Sequence, residues 1–144
     1  MKKIIKVTFI ILSLVFLSSC GKNYEKLTYT DYLEYFNKKS GYTIQDRSDE
    51  YEINIRRYLE AGNGNVQVYY IEYAKEEDAI EYIENAFLDK DGYKVKLNDN
   101  YSYVKSTKGK YQKVYRVNNV IIDVLTLDKK YKKEVNNILK ELVY

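Results

Sequence analysis

The sequence predicts an α+β domain in which helices pack on an antiparallel sheet. Two observations lead to this prediction. Short apolar and β-branched runs follow one another between turn residues, which is typical of strands joined in series and therefore paired antiparallel. Three further segments repeat apolar residues with the period of a helix. The chain of 144 residues suffices for one such domain, and we expect the helices on one face of the sheet.

The first helix is predicted to begin at Thr28 or Thr30, whose hydroxyls can cap its free amides, and to end near Lys39. Gly41 follows, as suits the left-handed conformation that often ends a helix. Three strands come next, with a turn rich in glycine and asparagine before the third. The predicted strands are 42–46, 51–59 and 66–73, and the turn is 61–65.

The second helix is predicted from 76 onward, because acidic residues fill its first turn, where the helix dipole favours negative charge. Gly92 ends it, and four short strands follow before a last helix that Asp128 can cap. The predicted strands are 93–97, 101–105, 111–117 and 120–126, with a two-residue hairpin at 118–119. The inward residues of the two helices are Ala79, Ile80, Ile83, Ala86 and Phe87, then Tyr131, Val135, Ile138, Leu139 and Leu142.

A short pattern recurs in the chain. Residues 36–44 and 87–95 share the pattern Phe-x-x-Lys-x-Gly-Tyr-x-Ile/Val, at an offset of 51 residues (87 − 36). The recurrence predicts a duplicated α-β-β-β unit closed by a C-terminal helix. The alternative is that any helix that ends in glycine before a strand produces the same pattern.

The first 21 residues carry a targeting pattern. A basic start precedes an apolar run from 4 to 17, which is fourteen residues (17 − 4 + 1). A membrane-spanning helix needs about 20 residues, so the pattern is that of a secretory signal peptide. The following residues, Leu-Ser-Ser-Cys at 17–20, resemble the lipobox of bacterial lipoproteins. That resemblance implies cleavage before Cys20 and a diacylglycerol on its thiol.

The resemblance divides the chain into a signal peptide (1–19), a lipidated cysteine with a tether (20–27) and a domain (28–144). It implies a lipid anchor on the extracytoplasmic face of the cell membrane. The alternative is an ordinary secretory signal whose cleavage leaves a cysteine. The whole chain is also similar to small Gram-positive lipoproteins without an assigned activity, which share a capped helix, a Gly-Tyr strand start and a lysine-rich last helix that ends here in Leu-Val-Tyr.

Composition excludes several chemistries. The absence of histidine removes imidazole bases and ligands, and one cysteine cannot form an intrachain disulfide or a thiolate zinc site. The 24 basic residues include Lys2, Lys3 and Lys6 of the signal, so 21 (24 − 3) remain against 21 acidic residues. The mature domain is then neutral, which argues against a nucleic-acid partner. We expect no metal and no cofactor.

Two local patterns suggest catalytic or metal sites and are better explained by structure. Ser102 and Lys105 match the Ser-x-x-Lys of penicillin-binding enzymes, but residues i and i+3 of a strand point to opposite faces. Asp89 and Asp91 resemble part of a calcium loop, but Gly92 follows the second acid directly, whereas the loop places glycine after three ligands. The chain is therefore not expected to be an enzyme.

Two basic or aromatic features remain as candidate surfaces. Lys129, Lys130, Lys132 and Lys133 open the last helix, where they can contact an anionic surface or form an ordinary solvated face. Six tyrosines suit a partner, since a rigid apolar ring with a polar tip is typical of interfaces; alternatively, they replace phenylalanine in the core. These candidates are Tyr69, Tyr73, Tyr101, Tyr103, Tyr111 and Tyr115.

The tyrosines carry the functional hypothesis. Tyr101 and Tyr103 share a face with Lys105, and Tyr111 and Tyr115 share one with Lys113, which predicts a Tyr/Lys surface. The central strands are apolar on both faces, so either the last helix or a partner must cover the second face. The first hypothesis is a non-catalytic binding module for an envelope protein. The second is a binder of a small ligand or envelope polymer, and the third is an enzyme.

Overall fold

The computed structural model describes residues 25–51 and 54–143. The predicted signal peptide, the lipobox and Cys20 lie outside them. Within these residues the helices are α1 (Tyr29–Lys38), α2 (Glu76–Phe87) and α3 (Lys132–Val143). The strands are β1 (Thr43–Asp46), β2 (Ile55–Gly62), β3 (Gln67–Tyr73), β4 (Tyr93–Leu97), β5 (Tyr101–Ser106), β6 (Tyr111–Val117) and β7 (Val120–Thr126).

The strands form a seven-stranded sheet in the order β1-β2-β3-β7-β6-β5-β4, and each described pairing is antiparallel. The predicted α+β class, an antiparallel sheet with helices packed on it, is confirmed. The main departure is β2, which begins later than predicted and continues through Gly62 into the expected turn. Before it, Asp46 accepts the amide of Ser48 over 3.0 Å and a 3₁₀ turn covers Ser48–Glu50, so extended structure is interrupted there.

Helices cover both faces of the sheet, which corrects the prediction of one covered face. We call the face under α1 and α3 the two-helix face; its core includes Leu59, Val68 and Ile122. The opposite one-helix face packs Ile71, Val114 and Ile121 against α2. The chain leaves the sheet at central strand β3 and returns to it at edge strand β4, and α2 crosses the sheet between these two strands. The central strands, which are apolar on both faces, are therefore buried on both sides. The last helix stays on the side of α1.

The recurrent pattern corresponds to repeated structure. The rings of Phe36 and Tyr42 lie 5.2 Å apart, and those of Phe87 and Tyr93 lie 5.1 Å apart. The intervening glycines have φ values of 83° at Gly41 and 87° at Gly92, which favour glycine. The chain therefore contains α-β-β-β twice, followed by β7 and α3.

The two units are related by an approximate two-fold axis along β7. Strands β3 and β6 flank β7 and both run antiparallel to it, so they run parallel to each other. Their helices, α1 and α2, lie on opposite faces of the sheet. A rotation about β7 preserves strand direction and exchanges the faces, as this arrangement requires.

The helix ends agree with the predicted caps. The Thr28 hydroxyl oxygen accepts a hydrogen bond from the Asp31 amide over 3.1 Å, and the Asp31 carboxylate accepts one in return from the Thr28 amide. Helical spacing predicts Tyr29, Leu33 and Phe36 on one face of α1, but the buried residues are Tyr32 and Phe36, and Tyr29 and Leu33 are half-buried. Asp128 accepts the amide of Lys130 over 3.0 Å and opens a 3₁₀ turn before α3. Across 25–51 and 54–143, no helix has the length and apolarity to cross a bilayer.

Candidate binding surface

Pairing of β5 with β6 brings four predicted residues onto the two-helix face. Tyr103 lies opposite Tyr115, and Lys105 lies opposite Lys113. The rings of Tyr103 and Tyr115 are 4.8 Å apart and tilted by 43°. Tyr101 is two residues before Tyr103 and shares its face, so the predicted Tyr/Lys face exists at this end of the sheet.

Burial narrows the part of this face that a partner can reach. Tyr111 is 3% exposed and Tyr115 is 6% exposed, and both belong to the core cluster under α1 and α3. The Tyr111 hydroxyl donates to Asn136 Oδ1 on α3 over 3.0 Å. Tyr101 and Tyr103 are half-buried. The structure therefore assigns two of the predicted tyrosines to the core and leaves two at the surface.

The remaining predicted tyrosines lie on the one-helix face. Tyr73 is 5% exposed and packs 6.1 Å from the ring of Tyr82 on α2. Tyr69 is half-buried, and its ring lies 5.9 Å from that of Tyr58. The six candidates are thus divided between opposite faces of the sheet and do not form one surface.

A line of lysines crosses the open end of the two-helix face. Lys94 on β4 lies opposite Lys105, and Lys105 lies opposite Lys113. We call these three residues the lysine row. Burial lowers the pKa of the Lys113 amine, and the neighbouring charges of Lys105 and Lys132 lower it further. The sequence pattern placed Lys105 and Lys113 here but not Lys94, because the register of β4 against β5, which sets Lys94 opposite Lys105, had not been predicted.

The lysine row has no acidic counterpart in the described residues. None of the ion pairs within 25–51 and 54–143 includes Lys94, Lys105, Lys113 or Lys132. Lys130, in contrast, pairs with Asp128 over 2.9 Å. The predicted lysine patch at the start of the last helix is therefore partly neutralised, and only Lys132 joins the row electrostatically.

A buried arginine on the one-helix face was missed from the sequence. Arg116 is 1% exposed. Its Nε donates to Ser102 Oγ over 3.1 Å, and its Nη1 donates to Glu76 Oε1 over 2.8 Å. The remaining donors reach carbonyls of Asn98, Asp99 and Asn118. This network is structural, because it ties α2 to two strands and two turns and uses donors at all three nitrogens of the guanidinium.

A buried carboxyl lies on the same face. The Gln112 Nε2 donates to both oxygens of Asp123, over 2.9 and 2.7 Å, while the buried Gln112 Oε1 has no hydrogen-bond partner among the described residues. Burial raises the pKa of Asp123 to about 6, against the lowering effect of the Gln112 hydrogen bonds. The nearby Tyr69 and Tyr82 are half-buried.

Comparison with known proteins addresses the fold. No protein family model matches the chain, and no curated protein matches it. The crystal structure of a GTP binding regulator from Thermotoga maritima is similar, with a TM-score of 0.51 and 12% sequence identity. The match covers 81% of this chain and 85% of that one. At this identity the likeness shows a shared fold and nothing more.

The other sequence candidates carry structural roles. Ser102 accepts from Arg116 on one face, whereas Lys105 points to the other face, so the two cannot act together. In the part of the chain that the structure describes, no group of three or more Asp, Glu, His or Cys residues could hold a metal ion. An open cavity of about 500 Å³ lies beside the first described residues. Its lining is Glu25, Lys26, Leu27, Asp31, Glu141, Leu142 and Val143, and contains no tyrosine.

Proposed function

We propose that the chain is a lipid-anchored protein of the extracytoplasmic face of the cell membrane that acts as a non-catalytic binding module. The lipobox-like residues at 17–20 support the anchor. The observation that carries the binding role is the Tyr/Lys face at the β4–β5 end of the sheet. Exposed Lys94 and Lys96 on β4 lie opposite half-buried Lys105 and Tyr103 on β5. Tyrosine is enriched at interfaces, whereas lysine is depleted there, so the surface suits a partner that carries negative charge.

The sequence pattern predicted a partner because the second apolar face of the central strands needed to be covered. In the structure α2 covers Ile71, Val114 and Ile121 on that face. The proposal therefore rests on the Tyr/Lys face rather than on uncovered apolar surface. A small ligand is less well supported, because a tyrosine-lined cavity was expected for it and the 500 Å³ cavity has no tyrosine in its lining.

Cys20 tests the anchor. In cells, Cys20→Ala is expected to release the protein into the medium, because two buried acyl chains provide stable attachment and none remains. Ser40→Ala, at an exposed position after α1, serves as the control and is expected to stay with the membrane. A Cys20→Ala protein that remains in the membrane with its signal removed would contradict the proposal.

Tyr103 tests the binding surface. A photo-crosslinking residue at position 103 in the anchored protein is expected to give one stoichiometric adduct in cells, and the same residue at exposed Lys133 is not. Tyr69→Ala, a substitution on the opposite face of the sheet, is the comparison variant for crosslinking from position 103. Equal crosslinking from 103 and 133, or none from either, would contradict a binding role for this face.

A further inference from the structure

We infer that the lysine row, with Tyr101 and Tyr103 beside it, binds a linear phosphate-bearing polymer. This inference rests on the proposed function and names the partner chemistry of the same surface. It follows from the shape of the row, its uncompensated charge, the residue types it contains and its position relative to the start of the domain.

The lysine row forms a stripe of positive charge across three strands. Lys94, Lys105 and Lys113 occupy facing positions on three adjacent strands, which are about 4.8 Å apart. Lys132 extends the stripe onto α3: its Nζ lies 5.2 Å from the centroid of the Tyr111 ring, and Lys113 Nζ lies 6.0 Å from the same centroid. The stripe therefore presents four ammonium groups in succession, an arrangement that fits a chain with repeated charges.

The charges of the stripe repel one another. Like charges at facing positions of paired strands are destabilising, and this sheet places three of them side by side. Burial is the main cause of the lowered pKa of Lys113, and repulsion from Lys105 and Lys132 lowers it further. A bound polyanion would replace this repulsion with attraction, since the described residues contribute no ion pair to the row.

The residue types are compatible with phosphate. The stripe contains lysines and no arginine. Lysine is a common phosphate ligand that acts as a point charge and sets no orientation on the anion, whereas arginine forms planar two-pronged contacts with carboxylate and phosphate alike. Tyr101 and Tyr103 line the next positions along β5 and add flat apolar rings beside the charges.

The position of the row favours a polymer over the membrane surface. The domain begins where Lys26 Nζ donates to Asn119 Oδ1 over 2.8 Å and pairs with Glu72 over 3.7 Å. Glu72 lies opposite Val120, at the first residue of β7. Lys113 lies opposite Val124, four residues further along that strand (124 − 120), or about 13 Å. The lysines of the row are thus displaced along the sheet from the end at which the chain enters the domain, whereas Tyr101, opposite Val117, lies level with that end.

Titration of the purified full chain in non-ionic detergent with fluorescent long-chain polyphosphate tests the inference. Lys105→Gln/Lys113→Gln is expected to bind about thirty-fold more weakly, at roughly five- to sixfold per lost charge. Lys75→Gln/Lys140→Gln removes two exposed charges outside the row and is expected to change affinity less than about twofold. The melting temperature of Lys105→Gln is expected not to fall, because the substitution relieves repulsion.

Three results would overturn the inference. Equal loss of affinity in both double variants would show nonspecific attraction. Equal affinity for poly-L-glutamate would remove the assignment to phosphate. Binding only to phosphatidylglycerol vesicles would make the row a membrane contact. Cys20→Ala is expected to retain polyphosphate binding, so a failed anchor and a failed polymer site are distinguishable; a specific adduct from position 103 without polyphosphate binding would refute this inference alone.

Discussion

Arg116 and Glu76 form an ion pair of 2.8 Å between a strand and the first residue of α2. The arginine side chain is 1% exposed and the glutamate side chain is 38% exposed, so the pair lies at the boundary of the core. Glu76 was expected to stabilise the helix dipole. Its additional role is to neutralise a guanidinium that also holds the turn at Asn98 and the hairpin at Asn118.

Arg116→Ala is expected to lower the free energy of unfolding by about 3–5 kcal/mol, because it leaves Glu76, Ser102 and several carbonyls without their donor. Arg116→Lys is expected to recover only part of this loss, since one ammonium cannot make the same set of contacts. Urea unfolding followed by circular dichroism measures the effect. The control is Arg57→Ala, because Arg57 is exposed; an equal loss there would contradict the role assigned to Arg116.

Asp123→Asn is expected to stabilise the protein at neutral pH. The asparagine amide can donate to the buried Gln112 Oε1, which accepts no hydrogen bond from the part of the chain that the structure describes, while still accepting from Gln112 Nε2. The substitution also removes a buried charge. Thermal unfolding at pH 7.5 measures the gain, and a lower melting temperature for the variant would contradict this reading of the pair.

Asp123 also predicts a pH dependence. Its folded pKa of about 6 lies above the ordinary value of 3.8, so the folded state retains a proton that the unfolded state has lost. The group's contribution to stability is therefore full at low pH and falls by about 2–3 kcal/mol as pH rises through this window. The difference between wild type and Asp123→Asn across pH 4–7 isolates it. Exposed Asp128 is the opposite control: the Lys130 amide lowers its pKa, so its contribution is lost as pH falls.

The two repeated glycines predict unequal costs for the same substitution. A Cβ at Gly41 would meet no atom of the described residues within 4 Å, whereas a Cβ at Gly92 would lie 3.0 Å from Lys108 Cδ and 3.1 Å from Lys108 Cβ. Gly41→Ala is expected to cost about 1 kcal/mol from its left-handed backbone alone, and Gly92→Ala more. Removal of the long side chain in Gly92→Ala/Lys108→Ala is expected to reduce the excess. Equal costs at both glycines in urea unfolding would contradict the contact.

Removal of the Glu134 side chain is expected to destabilise three elements of the fold at once. Its Oε1 accepts from the Tyr42 hydroxyl over 2.7 Å and from Asn63 Nδ2 over 2.9 Å. Glu134→Ala is expected to cost about 2–3 kcal/mol, since both bonds have a charged acceptor. Glu84→Ala, at an exposed position of α2, is the control. Hydrogen exchange is expected to accelerate most at the turn that follows β2.

The strength of the local pattern explains which elements were predictable. The limits of β4, β6 and β7 follow from alternation and from Asn118, whose φ of 52° suits the hairpin. β2 was misplaced because an Asp46–Ser48 turn interrupts a run that reads as strand. The spans of the helices were predictable from their capping residues. The face on which each helix packs was not, because it depends on the place in the sheet of the strand that follows the helix in the chain.

The candidate site was less predictable, since it depends on strand neighbours. Lys94 and Lys105 are eleven residues apart (105 − 94) and meet only because β4 pairs with β5. Burial of Tyr111 and Tyr115 depends on α3 lying over β6 and β7. The burial of Arg116 was not predicted, because a charged residue in a strand normally indicates a solvent-facing position. Here the polar partners that allow its burial come from α2 and two turns.

The central place of β7 has a consequence for folding. Each α-β-β-β unit is contiguous in sequence, and in the sheet the two sets of three strands meet at β7, where Tyr70 lies opposite Ile122, 52 residues away (122 − 70). We expect closure of that loop to be the slow, entropically costly step of assembly. A chain that ends before Val120 would lack the strand that joins the two three-stranded halves of the sheet, and would leave β3 and β6 as unpaired edges.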